Sequence, residues 1–183
     1  MRTILASKSP RRKQLMESLG IPFEIIVADI DETIDENNNL RKEIEKLSFL
    51  KAQKVFNDNS DALVIGADTI VVVNDTVLGK PKNEDDAFRM LKMLQNNKHE
   101  VITGVSILSK DRNETFSTVS EVFFSPMSDE EIKDYIKTKE PMDKAGAYAI
   151  QGIGSKFIKG ISGDYYSIMG FPVNEIYNRL KNY

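Results

Sequence analysis

The chain has 183 residues, with 25 Lys and Arg against 28 Asp and Glu, for a net charge of −3. With 40% hydrophobic and 29% charged residues, it reads as one folded domain over 1–183 with a sizeable core, and a balance this near neutral gives no global attraction to nucleic acid. The absence of cysteine excludes disulfides, zinc–thiolate sites and thiol nucleophiles, and a single histidine, His99, leaves almost no material for a Ser-His-Asp triad or a multi-histidine metal site.

Thr3 to Ala6 is a short apolar run, readable as a buried strand. Ser9-Pro10 opens a helix, with Ser9 as N-cap and Pro10 at the first helical position; Leu15, Met16 and Leu19 give it an apolar face and Gly20 ends it. Phe23 to Ala28 reads as a second strand, and Leu40 to Phe56 as a helix. Ala62 to Val73 is a long apolar run interrupted by Gly66-Ala67-Asp68-Thr69, which places Asp68 where a strand stops or bends; Asn74-Asp75 is a turn. A helix starts at Asn83-Glu84-Asp85-Asp86, acids first, with Ala87, Met90, Leu91 and Leu94 as its buried stripe. Val101 to Leu108 and Thr115 to Phe124 read as two strands joined by a polar hairpin tip at Lys110 to Asn113. Ser128 with Glu131 is a capping box for a helix through about Lys137. The Gly- and aromatic-rich stretch from Lys144 to Gly170 has no clear period, and Phe171-Pro172 starts a final helix through Leu180. Alternating strands and helices followed by a hairpin give an α/β fold with a mixed sheet. Ser, Pro and Arg follow Met1 within a few residues and no long apolar run occurs, so neither a signal peptide nor a membrane span is read, and the cytoplasm is the expected location.

Five segments could carry chemistry. The first 13 residues hold five basic side chains, Arg2, Lys8, Arg11, Arg12 and Lys13, and no acid. Cations in the first turn of a helix oppose its dipole, so Ser7, Ser9, Arg11 and Arg12 form either a phosphate cradle, where an anion offsets the repulsion, or a solvated basic turn. Asp29 to Glu36 packs five carboxylates into eight residues, as an exposed acidic loop or as oxygen ligands for a hard divalent cation. In Gly66-Ala67-Asp68-Thr69, the small residues would let a ligand approach the backbone and Asp68 could bind metal or activate water; a capping or turn aspartate is the alternative. Thr69 could hydrogen-bond a base or a phosphate. Lys80 and Lys82, in Gly79-Lys80-Pro81-Lys82, and the helical Lys51 and Lys54 suit either phosphate or solvent. Gln151, in the run Lys144 to Gly152, carries the donor and acceptor needed to read a base edge, or sits in a loop shaped only by packing. His99 reads as a surface or packing residue without a catalytic role.

Together, Ala6-Ser7-Lys8-Ser9-Pro10-Arg11-Arg12, Asp31-Glu32, Lys51-Ala52, Gly66-Ala67-Asp68-Thr69, Leu78-Gly79-Lys80-Pro81, Thr103-Gly104-Val105, the run Asp143 to Gly152, Gly163-Asp164-Tyr165-Tyr166 and Gly170-Phe171-Pro172 resemble the Maf family of nucleoside triphosphate pyrophosphatases. The resemblance implies a two-lobed α/β fold of the Maf/inosine-triphosphatase kind, around a twisted mixed sheet with the nucleotide in a cleft between lobes. It implies a divalent cation, Mg²⁺ or Mn²⁺, usually a homodimer, and cleavage of a nucleoside triphosphate to monophosphate and pyrophosphate. By the same resemblance Asp68 accepts the proton of the attacking water, and Glu32 and Asp68 hold the metal. Ser7, Arg11, Lys51, Lys80 and Lys82 contact phosphate, with Lys80 counted among the catalytic groups. Arg12, Thr69 and Gln151 mark the branch acting on dTTP and UTP rather than the one acting on 7-methyl-GTP. The chain departs from the family pattern after Asp31-Glu32, where Thr33 to Asn39 replaces a Pro/Gly-rich stretch. A non-catalytic nucleotide-binding regulator of cell division is the alternative to an enzyme; Asp68 and Glu32 near a basic cradle favour the enzyme.

Overall fold

The computed structural model describes residues 1–183. Its elements in chain order are β1 (Thr3–Leu5), α1 (Pro10–Glu17), β2 (Glu24–Ile25), α2 (Leu40–Phe56), β3 (Leu63–Val73), β4 (Thr76–Leu78), α3 (Glu84–Leu94), β5 (Lys98–Leu108), β6 (Asn113–Phe124), α4 (Asp129–Lys137), β7 (Ile158–Ser162), α5 (Tyr165–Ile168) and α6 (Val173–Leu180). Single 3-10 turns occupy Glu140–Asp143, Ala145–Ala147 and Ile153–Phe157. The sheet has seven strands in the order β2-β1-β3-β5-β6-β7, with β4 paired to β3 off that path. It is mixed: β1 runs parallel to β2 and β3, whereas β3–β4 and β6–β7 are antiparallel. No helix is long and apolar enough to cross a membrane.

Two compact units divide the chain. One comprises Met1–Thr69, Thr103–Thr118 and Tyr166–Tyr183; the other comprises Ile70–Ile102 and Val119–Tyr165.

In the first unit, Ser9 caps α1 by accepting from the Arg12 amide at 3.4 Å, and Gly20, at φ +70°, takes the left-handed position beyond its end. The span predicted as a strand from Phe23 to Ala28 shortens to Glu24–Ile25, both exposed. Its sole strand partner is the three-residue β1, which pairs with it at Ile4↔Glu24 and Leu5↔Ile25, and the pairing runs out with the Ile26 amide donating to the Leu5 carbonyl at 3.2 Å. Helix α2 occupies its predicted span, with Asn39 accepting from the Lys42 amide at 3.2 Å. Its inward residues Ala52 and Val55 join Ile4, Ala6, Ala62, Val64 and Leu108 in one buried cluster.

Glycine brings α2 down onto the sheet. A Cβ at Gly66 would lie 2.5 Å from the Ser48 carbonyl oxygen and 2.8 Å from the Ala52 nitrogen, and one at Gly104 would lie 2.5 Å from the Ile44 carbonyl oxygen. Two expectations are corrected here. Gly66 admits a helix rather than a ligand. The run from Gly66 to Thr69 also does not end the strand: β3 continues through it to Val73. β5 lies beside it, and on the other edge β1 pairs with Leu63–Ile65 and β4 with Val71–Val73, so the run bridges two partners and stays extended.

In the second unit, Asn74 and Asp75, at φ 48° and 59°, make the two-residue turn that folds β4 back on β3, a strand missing from the sequence reading. Asn83 caps α3 by accepting from the Asp86 amide at 2.8 Å, and the predicted stripe Ala87, Met90, Leu91 and Leu94 is buried. The capping box of α4 is complete, with the Ser128 amide donating to Glu131 and the Glu131 amide to the Ser128 hydroxyl. His99 is a core residue, not a surface one. It is 2% exposed, its ring lies edge-on to Phe124 and Tyr148, and its Nε2 is 2.7 Å from the Tyr148 hydroxyl. Burial lowers its pKa to about 4, so the ring is neutral at physiological pH.

Candidate active site

The first unit gathers seven of the predicted residues: Ser7, Arg11, Arg12, Glu32, Lys51, Asp68 and Thr69. The contact at Gly66 sets the geometry. Side chains alternate along a strand, so Asp68 leaves β3 on the same face as Gly66, the face that carries α2. Lys51 precedes Ala52, the residue seated on Gly66, and its ammonium reaches the Asp68 Oδ2 at 2.8 Å. The same Nζ lies 2.8 Å from Oε1 of Glu32, from the acidic loop. Exposure differs sharply across the three side chains, at 10% for Lys51, 15% for Asp68 and 54% for Glu32. The other Asp68 oxygen accepts from the Thr69 amide at 2.8 Å, which fixes the carboxylate plane.

The acidic loop is held by its own side chains and by α2, whose Glu43 accepts from the Asn38 side chain at 3.1 Å. Asp31 accepts from the Thr33 amide and hydroxyl, and Asp35 accepts from the Asn37 amide and the side chains of Asn37 and Asn38. Asn37 and Asn38 therefore close local turns on Asp35.

Arg12 points back from the first turn of α1 and is held by neutral acceptors: the Gly170 carbonyl at 2.9 Å, the Thr69 hydroxyl at 3.0 Å and the Ser7 hydroxyl at 3.4 Å. The directions of the next bonds follow from proton count. Thr103 donates its hydroxyl proton to the Ser167 carbonyl at 2.7 Å, so at 2.9 Å it must accept from Thr69, which in turn accepts from Arg12. Burial, chiefly, holds the guanidinium below its ordinary pKa; Asp68 acts against that, Arg11 with it, and Glu32 against it. An arginine stays charged through any such shift, so Arg12 brings a cation with no carboxylate in direct contact. Arg12 bonds the Thr69 hydroxyl beside Asp68, and Asp68 shares the Lys51 ammonium with Glu32, so residues from separate segments join in one chain of contacts. The motif Thr103-Gly104 signalled two further contributors: the hydroxyl that orients Thr69 and the glycine that seats α2. Gly170, at φ +100°, supplies the carbonyl for Arg12.

Lys80, Lys82 and Gln151 belong to the second unit, and all three are exposed. Pro81 between the lysines is buried, and the Gly146 amide donates to the Gly79 carbonyl at 3.1 Å, tying the lysine segment to the glycine-rich loop. That loop is anchored by Glu140, which the sequence reading missed. Its carboxylate accepts from the Tyr135 hydroxyl at 2.6 Å and from the Ile153 and Gly154 amides, each at 2.9 Å. Burial pushes the Glu140 pKa up, but those three donors, together with Lys144, bring it below its ordinary value.

Nowhere does the chain gather three or more His, Asp or Glu side chains as a metal-ligand set. The pair Glu32 and Asp68, with negative charge already collected around one ammonium, nonetheless fits a hard divalent ion whose remaining ligands are phosphate oxygens and water.

Comparison with known proteins matches this architecture. The Ham1 protein of Staphylococcus aureus, over 100% of this chain and 99% of its own, shares the fold with a TM-score of 0.54 at 13% identity. Proteins named dTTP/UTP pyrophosphatase from Bacillus cereus (strain G9842) and from Bacillus thuringiensis subsp. konkukian are each 48% identical over 180 residues, covering 98% of this chain and 94% of theirs. Residues 2–183 match the family described as Maf-like protein. The chain belongs to that family.

Proposed function

We propose that the protein hydrolyses the α–β phosphoanhydride of dTTP and UTP to the nucleoside monophosphate and pyrophosphate. The observation that carries this reading is the Lys51 ammonium between the Asp68 and Glu32 carboxylates, alongside an arginine held only by neutral partners. The relatives named dTTP/UTP pyrophosphatase support the substrate.

A triphosphate at pH 7 is heavily anionic and repels an incoming oxygen nucleophile. In this reading Asp68 takes a proton from water as its oxygen attacks phosphorus and the phosphoanhydride oxygen leaves with its electron pair on pyrophosphate. The Thr69 amide holds the carboxylate in the orientation that needs. Ser7, Arg11, Arg12 and Lys51 bind the phosphates and offset charge as it develops. The family resemblance supports Lys80 and Lys82 as further phosphate ligands, and Arg12, Thr69 and Gln151 as the groups that read the base. Glu32 and Asp68 would hold a Mg²⁺ or Mn²⁺ ion, which supplies charge neutralisation on the phosphates. The resemblance also supports a homodimer working in the cytoplasm, which sedimentation and cell fractionation test.

The deciding experiment is pyrophosphate release from a panel of dTTP, UTP, 7-methyl-GTP and the common purine triphosphates with Mg²⁺ or Mn²⁺. Preference for dTTP and UTP supports the proposal. Preference for 7-methyl-GTP moves the protein to the other branch, and nucleotide binding with no turnover makes it a regulator.

A further inference from the structure

We propose that Glu140 is the positioning residue for Gln151, and that its carboxylate sets the pyrimidine discrimination of the enzyme by fixing the 149–154 loop. The proposal rests on the reading of Gln151 as a base-recognising group.

Gln151 sits exposed on a loop whose two flanks are tied to one carboxylate. On the carboxyl-terminal side, the Ile153 and Gly154 amides donate directly to Glu140. On the amino-terminal side, the Ala149 amide donates to the Tyr135 hydroxyl at 3.1 Å, and that hydroxyl donates to Glu140. Tyr135 is a rigid post, since it lies on α4 at 1% exposure. The loop has been shaped around the carboxylate. Gly152 stands at φ +135°, a conformation open essentially to glycine, and a Cβ there would run into Glu140 Oε1. A Cβ at Gly154 would strike the Tyr135 hydroxyl. Glu140 itself is held from behind, because Lys139 turns the chain at φ +64° and the Lys144 ammonium donates to the Glu140 carbonyl at 3.2 Å.

The physical consequence concerns one substrate class. An amide that reads a base edge discriminates only while its donor and acceptor are held in place, because a mobile amide adapts to the wrong base. Removing the carboxylate frees the Ile153–Gly154 flank of Gln151 outright and leaves the Tyr135 hydroxyl, which holds the Ala149 flank, without its own acceptor.

The test is steady-state kinetics of the full-length protein with dTTP, UTP and ATP, on Glu140→Ala, Glu140→Gln, Tyr135→Phe, Gln151→Ala and the Glu140→Ala/Gln151→Ala pair. Glu140→Ala is expected to raise KM for dTTP and UTP about tenfold, with kcat within about threefold and ATP little changed. Glu140→Gln, which keeps one acceptor oxygen, should fall between that variant and wild type. The double variant should be no worse than Gln151→Ala alone, since both remove one function. An equal effect on all three nucleotides, or full additivity with Gln151→Ala, overturns the proposal. If Glu140→Ala does not fold, Tyr135→Phe is judged by the same criteria. Amide hydrogen exchange separates this idea from the functional reading. Faster exchange at Ile153 and Gly154 in Glu140→Gln supports the clamp, and unchanged exchange overturns it. A folded wild type inactive on every nucleotide would instead overturn the proposed function.

Discussion

Glu32 and Glu140 are the same residue type in opposite circumstances. Glu32, in the first unit, is more than half exposed and leans on an ammonium that it shares with Asp68. Glu140, in the second, is enclosed by a hydroxyl and two backbone amides and has little left to offer a ligand. The first arrangement is a set of formal charges close enough to be rearranged by a polyanion. The second is a carboxylate consumed in shaping a loop. A carboxylate is thus a candidate for chemistry when its partner is another movable charge, and a candidate for architecture when its partners are main-chain donors that cannot leave.

The comparison breaks first, and most visibly, at Asp68. Asp68→Asn should lower turnover about 10²- to 10⁴-fold, the range for loss of a general base, while nucleotide binding stays measurable by calorimetry. Full turnover in that variant would remove the charged cluster from the chemistry. Next comes the protonation of the second unit's core. His99 has its folded pKa depressed from 6.5 to about 4, so neutral His99 stabilises the fold above pH 6.5 and that contribution disappears as pH falls toward 4. The loss amounts to about 3 kcal/mol, read as melting temperature against pH, and His99→Gln should flatten that slope. Its cause is local: Nδ1 has no partner within the protein, so charging the ring would bury a donor with nothing to receive it. Gly66→Ala should cost about 1–3 kcal/mol of stability, because the added methyl meets backbone of α2 that cannot move aside alone. Lys51→Met should raise KM for a triphosphate and cost about 1–3 kcal/mol by leaving the half-buried Asp68 without its ion pair. An unaltered melting temperature there would mean the cluster is held by packing rather than charge. The smallest effect is Glu131→Ala, which removes half of the α4 capping box and should cost about 0.5–1 kcal/mol by chemical denaturation.

Local signals were legible wherever the cause of the structure was itself local. Ser9 and Ser128 each cap the helix that follows, as their sequence context implies, because a cap is a bond between neighbours. The bounds of α2 followed from its own apolar spacing. The strand predicted over Phe23 to Ala28 shrank because its partner was short, which its own residues do not record. Gly66 was read as room for a ligand because a glycine announces close approach without saying what approaches. In the candidate site, the convergence of Arg12, Glu32, Lys51 and Asp68 was visible only through resemblance to a family, since these residues lie in separate segments. Glu140 left one faint signal, two glycines at 152 and 154 alternating with a residue whose amide is also used. Nothing in that spacing names an acceptor more than ten residues away.

The seat of α2 on Gly66 and Gly104 has a practical consequence for altering this protein. Because helix and strands touch there through main chain, peptide geometry sets the separation of the Lys51 and Asp68 backbones, across which the two side chains meet. Mutational libraries that explore substrate preference should therefore hold both glycines fixed, because opening either to larger residues shifts the helix and both reactive groups at once.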